Sequence, residues 1–105
     1  WTSKRGGYDV LQQLDAETPR AAQHSWVDEE CYVYAVDMTK GVQVLRWDAD
    51  QLVLVTVLAT RRGVAVLPFA HQDRDFLAVF DWAPNGSALY AWEADPADAT
   101  APGAA

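Results

Sequence analysis

The chain has 105 residues, half of them hydrophobic and 11% aromatic, with a formal net charge of −7. That length holds one modest core, and no apolar run reaches the roughly 20 residues of a membrane span. Its eight Lys and Arg are scattered, so the basic footprint that nucleic acid requires is missing and an acidic membrane surface would repel the chain.

In chain order, Trp1 comes first, without an initiator Met or a signal peptide, and the sequence reads as a fragment, a processed product or a trimmed form of a longer protein. The stretch Val10 to Glu17 is too short and too poorly flanked for a helix and is read as part of a strand over 8–14. Further strand signals follow at 20–26, 31–37, 42–47, 51–58, 64–69, 75–81 and 87–93; residues 32–36, 52–58, 63–69 and 76–80 are short apolar runs rich in aromatic and β-branched residues and bounded by Gly, Pro, Asp or Asn. Trp26 lies inside one of them and is a candidate core residue. Cys31, the single cysteine, excludes an internal disulfide framework and a multi-cysteine zinc site, and reads as a small buried hydrophobe. Thr39-Lys40-Gly41 and Ala83-Pro84-Asn85-Gly86-Ser87 read as turns, the second through an Asn-Gly pair that favours positive φ. Residues 95–105 contain Ala, Pro, Asp, Thr and Gly without a large apolar side chain, the composition of a disordered tail or linker.

The strands repeat. Tyr32 to Asp37, a Gly-bearing turn and Val42 to Trp47 match Phe76 to Asp81, the Asn-Gly turn and Ser87 to Trp92. Asp37 and Asp81 are 44 apart, and Trp47 and Trp92 are 45 apart, because one turn carries an extra residue. The strand after each Trp keeps the phase: Tyr8, Val10, Gln12 and Leu14 fall on Leu52, Leu54, Thr56 and Leu58, and Trp1 takes the place of an earlier strand-closing Trp. Four strand signals per period of about 45 residues describe one blade of a β-propeller. The expected fold is therefore all-β, with about two four-stranded antiparallel blades over 1–94 forming part of a ring. An eight-stranded sandwich or barrel made by duplication is the alternative.

Asp75-Phe76-Leu77-Ala78-Val79-Phe80-Asp81, a short loop and Ser87-Ala88-Leu89-Tyr90-Ala91-Trp92 resemble the epilepsy-associated repeat, also called EPTP. Tyr8 to Pro19 is similar to the next part of that repeat, with Gln12, Leu14, Thr18 and Pro19 in order. Thr56 stands where the family has Gln, and Leu45 where it has Tyr. The resemblance implies a propeller of secreted or cell-surface proteins that recognises other proteins, as in the leucine-rich glioma-inactivated proteins, with no catalytic residues and no cofactor. The positions it marks as structural are Trp1, Leu14, Trp47, Leu58, Phe76, Leu77, Tyr90 and Trp92. Two blades do not close a ring, so further blades must come from a longer chain or from other copies.

Few residues invite a chemical reading. His71-Gln72-Asp73-Arg74-Asp75 gathers an imidazole and two carboxylates, but the same place in the earlier copy, Asp28-Glu29-Glu30, reads as a solvated turn. No Gly-x-Ser-x-Gly elbow is present to expose a serine, so an enzyme is not expected. Asn85-Gly86-Ser87 is an N-glycosylation sequon, and Trp82, directly after a strand, is the Trp placed in a turn where it can contact a partner. The functional expectation is a non-enzymatic extracellular recognition or adhesion module bound to a cell-surface or matrix protein. A purely structural repeat within a larger extracellular assembly, completed by further copies, is a second reading, and a sugar-binding propeller a third.

Overall fold

The computed structural model describes residues 7–93, so Trp1 and the tail at 95–105 lie outside the described residues. Seven strands run as β1 (Pro19–Val27), β2 (Glu30–Asp37), β3 (Gly41–Asp48), β4 (Gln51–Leu58), β5 (Gly63–His71), β6 (Arg74–Asp81) and β7 (Ala88–Ala91), with no helix among the described residues. They form two antiparallel meanders, a first sheet β1-β2-β3-β4 and a second β5-β6-β7. The expectation of an all-β fold holds.

The 44-residue period is visible in the backbone. β5 and β6 begin 44 residues after β1 and β2 and have the same lengths. The register slips between Pro19 and Ala21 where β1 leaves β2, and between Gly63 and Ala65 where β5 leaves β6. The hairpin turns match too. Asp28 and Glu29 have φ of 49° and 68°, and Gln72 and Asp73 have 51° and 62°. Positive φ at both central residues lets a two-residue turn follow the twist of its strands, so a position usually given to Asn or Gly is here filled by side chains that pay some strain.

Two expectations need correction. Residues 8–14 are not a strand: 7–16 has no regular structure, and Tyr8, Val10, Leu11 and Leu14 are exposed. A strand exists only when a neighbour completes its ladder. In the repeat, 8–14 corresponds to β4, the last strand of a preceding sheet, and the described residues contain no such sheet. The segment is instead tied down by side chains. Gln12 makes both hydrogen bonds of a ladder partner to the backbone of Leu52, accepting from its N–H at 2.8 Å and donating to its carbonyl at 2.9 Å. Gln43 donates to the Asp15 carbonyl at 3.2 Å. The described strands therefore number seven, and β7 is shorter than the 87–93 expected. The second correction is Trp26, which lies on β1 but is 65% exposed and belongs to no core.

How the sheets pack follows from alternation along the strands. One face of the first sheet, its front, carries Tyr32, Tyr34, Val36, Val42, Val44 and Leu58. These side chains form the core together with Val66, Leu77, Val79, Tyr90 and Trp92 from the second sheet. Moved back by one repeat, Leu77, Val79 and Tyr90 become Val33, Ala35 and Leu45, which lie on the opposite face of the first sheet, its back. The front of one sheet therefore packs on the back of the next. The sheets approach most closely where β5 meets β1 and β2. Toward the later strands they part around an apolar cleft of about 180 Å³, lined by Tyr34, Val44, Leu58, Leu77, Tyr90 and Trp92.

The core is thin. Among the described residues nine hydrophobic residues are buried, whereas fourteen large hydrophobics are exposed, including Trp26, Trp47 and Leu54 on the back of the first sheet and Leu67, Phe69, Phe80 and Leu89 on the front of the second. Patches of this extent on a folded chain mark surfaces that pack on something else.

Candidate protein-recognition surface

At the end of the sheets where β1 and β5 begin, each repeat is held by one carboxylate. Asp37 accepts four backbone N–H bonds, from Glu17, Thr18, Thr39 and Lys40, at 2.7 to 3.0 Å. Asp81 accepts three, from Arg61, Arg62 and Ala83, at 2.8 to 3.1 Å. Glu17, Thr18 and Thr39 lie 44 residues before Arg61, Arg62 and Ala83, so the same device ties the strand entry to the following turn in both copies. Burial works against the charge of Asp37, but the amides of Lys40, Glu17, Thr39 and Thr18 outweigh it and hold the carboxyl below its ordinary pKa. The Ala83 amide does most to lower Asp81, burial opposes it, and Arg61 and Arg62 assist.

This scaffold fixes Trp82. Its N–H donates to the Arg62 carbonyl at 2.9 Å, as the N–H of its counterpart Met38 does to Thr18. The Trp82 side chain is 75% exposed. With Arg20, Met38, Arg62, Gly63 and Val64 it lines a depression of about 230 Å³. Neither Arg20 nor Arg62 has a carboxylate within ion-pair distance among the described residues, whereas Lys40, Arg46 and Arg74 do. Asp81 nearby spends its lone pairs on backbone amides. The far end of the sheets has the opposite character, its strand ends and turns carrying Asp28, Glu29, Asp48, Asp50 and Asp73. In a chain of net charge −7, two arginines without an ion-pair partner among the described residues thus stand beside Trp82, the most exposed tryptophan among them.

The turn at 83–87 closes the same end. Gly86 donates to the Ala83 carbonyl at 3.1 Å, and the Asp81 N–H donates to the Ser87 hydroxyl at 3.0 Å. Asn85 is exposed with φ of 58°, so its side-chain amide is open to solvent.

The remaining expected positions fall as follows. Leu77 is buried in the core, with Leu58, Tyr90 and Trp92 packed against it. Phe76 is half-buried on the front of the second sheet, stacked on Phe69 at 5.3 Å, with the Arg74 guanidinium 5.2 Å from its ring centre. Trp92 meets Tyr32 at 4.5 Å between ring centres. Trp47, its counterpart, is 43% exposed on the back of the first sheet, and Leu14 is 48% exposed. Cys31 is a free, half-buried thiol on the same back face, paired across strands with Trp26. His71 ends β5, Gln72 and Asp73 form the turn, and Asp75 lies in β6, while His24 sits away in β1. Among the described residues no three His, Cys, Asp or Glu side chains gather as metal ligands. Arg20 and Arg62 were not singled out by sequence reading. Nothing in a single Arg marks it as unpaired until the fold places the carboxylates elsewhere.

No family model, curated protein or solved structure matches the chain.

Proposed function

We propose that the chain is a non-enzymatic recognition module made of β-propeller blades similar to the epilepsy-associated repeat, and that it works outside the cell by binding a protein partner. The blade reading is supported by the 44-residue period and by the packing of one sheet's front on the next sheet's back, the arrangement by which propeller blades succeed one another. The binding reading is carried by one observation. Trp82 stands exposed on a turn pinned by Asp81, beside Arg20 and Arg62 without carboxylate partners. Trp and Arg are the side chains that dominate binding energy at protein interfaces, and a rigid turn limits the entropy lost on docking. The partner surface that fits carries carboxylates around an apolar recess.

The test is saturable binding of the labelled chain to cell surfaces and matrix proteins, measured for the wild type, Trp82→Ala and Arg62→Glu. The reading requires at least a tenfold loss in both variants with unchanged circular dichroism. Equal binding by all three sinks it. Secretory expression adds a check on compartment, since a glycosidase-sensitive mass increase absent from Asn85→Gln is the expected result.

A second reading, a structural repeat without a ligand of its own, is favoured by the exposed front of the second sheet and back of the first. It predicts no saturable binding at all.

A further inference from the structure

Each sheet of this chain shows how its own uncovered face is to be filled. The front of the first sheet is occupied by the back of the second. One repeat along, the front of the second sheet carries Phe76, Ala78, Phe80 and Leu89 where the first has Tyr32, Tyr34, Val36 and Val44, and β5 adds Leu67 and Phe69 where β1 has Gln23 and Ser25. This face is more apolar than the one already buried, yet Leu67, Phe69, Phe80 and Leu89 are 41 to 62% exposed. The surface that fits it is the back of a following repeat. The chain itself presents one such back on its first sheet, with Trp26, Cys31, Val33, Ala35 and Trp47. The two Trp residues make the match specific. Trp92 on a covered back packs against Tyr32, and Trp47 has the same place on the other back with no ring against it among the described residues. Phe76 is the residue at the position of Tyr32.

The strand count agrees. Among the described residues the second sheet has three strands to the first sheet's four, and β7 is paired only with β6. No described residue fills the position of β4 in that sheet, and the segment in phase with β4 is 8–14, which has no ladder to join among the described residues. It already crosses the back of the first sheet, bonded to Leu52 and Gln43, where a preceding fourth strand belongs. Leu45, which sits between those two contacts, is 6% exposed while its neighbours Trp47 and Leu54 are open.

We infer that the occupant is a second copy of this chain. The front of its second sheet docks on the back of the first sheet of its neighbour, with Phe76 against Trp47, and segment 8–14 adds to the β7 edge as the fourth strand. Backbone pairing at an open edge supplies affinity while the alternating side chains supply register. The contact is heterologous, since front meets back. It therefore propagates to a ring or an open filament rather than stopping at a two-fold dimer. This proposal concerns other faces than Trp82 and stands or falls apart from partner binding.

Complementation decides it. Phe80→Asp spoils only a front and Trp47→Asp only a back, and both side chains are exposed, so the monomer fold is retained. Sedimentation of the wild type is expected to show concentration-dependent species beyond the dimer. Each variant alone is expected to be monomeric, weakened by about 100-fold or more as a charge enters an apolar contact. Mixed in equal amounts, the two retain one sound front and one sound back and are expected to form a one-to-one heterodimer and nothing larger. Val10→Pro, which removes a ladder donor from a segment that is coil in the monomer, is expected to weaken association as well. Should either variant lose its circular-dichroism signature, Phe69→Asp and Trp26→Asp address the same faces. A wild type that stays monomeric to about 1 mM, where specific docking would already be weak, overturns the proposal. So does a variant that still dimerises alone, or a mixture that does not pair.

Discussion

Val36 and Phe80 hold the same position in successive repeats, yet Val36 is 1% exposed between the sheets and Phe80 is 47% exposed on the far side of the second sheet. The difference lies in what covers each face, since both are apolar residues on the second strand of a meander, one place before the Asp that ties the turn. The repeat explains an exposed phenylalanine that a lone domain would not keep.

That relationship fixes the first prediction. Val36→Ala removes buried methyl groups from a packed core and is expected to cost about 2 kcal/mol. Phe80→Ala removes a far larger side chain and is expected to change the stability of the isolated monomer by less than about 1 kcal/mol. Urea unfolding at low protein concentration orders the two. A cost for Phe80→Ala equal to or above that of Val36→Ala would mean its face is already covered.

Trp47 and Trp92 give the second prediction. Trp92 contributes area to the core and a tilted contact with Tyr32, worth about 0.5–1.5 kcal/mol beyond burial, so Trp92→Ala is expected to destabilise by roughly 3 kcal/mol. Trp47→Ala is expected to cost less than about 1 kcal/mol in the monomer. Comparable losses from the two would contradict the assignment of covered and uncovered backs.

Much of the strand layout was legible because half-buried strands announce themselves by short β-branched and aromatic runs between turn residues. The repeat was legible through Asp37 and Asp81 and through the spacing of Trp47 and Trp92. Segment 8–14 was misread for a physical reason: its pattern matches β4, but pattern supplies a side-chain face, not a ladder partner. Trp26 was misread in the same way, since an apolar strand residue shows that a face is meant to be covered without showing that the cover is present. Of the surface proposed for recognition, only Trp82 was legible. Its neighbours Arg20 and Arg62 became visible once the backbone amides were seen to absorb the nearby carboxylates.

Gly41 gives the third prediction. It has φ of +95°, and a Cβ there would lie 2.5 Å from the Leu58 carbonyl oxygen, a backbone atom that cannot step aside without moving β4. Gly41→Ala therefore adds both conformational strain and a clash, and the expected destabilisation is about 2 kcal/mol or more. Gly63→Ala, whose nearest contact is the Thr60 hydroxyl at 3.0 Å, is expected to be milder. Thermal unfolding of the two variants ranks them, and an Ala at 41 that matches wild type would show that the turn adopts another geometry.

Acid should loosen the two repeat ties in a defined direction. The Asp37 and Asp81 carboxyls are held below their ordinary pKa in the folded chain, Asp37 by amides that outweigh burial and Asp81 first by the Ala83 amide. A group whose folded pKa is depressed stabilises the fold above its unfolded pKa, near 3.9 for Asp. That contribution declines as pH falls through the folded value. Neutral pH therefore retains it in full, and the loss begins as pH drops below about 5. Asp37→Asn keeps the shape but brings an NH₂ among four N–H donors, so it is expected to be less stable than wild type at pH 7. At pH 3 the gap is expected to narrow, because below about 3.9 the unfolded chain already takes up the proton and the advantage of the ionised folded carboxyl shrinks. Asp81→Asn is expected to follow the same course with a smaller gap, since Asp81 accepts three amides instead of four and is more exposed. Thermal melts of the three proteins from pH 7 to pH 3 measure this directly. A gap that stays constant across that range would mean the two carboxylates serve as hydrogen-bond acceptors alone and their charge contributes nothing.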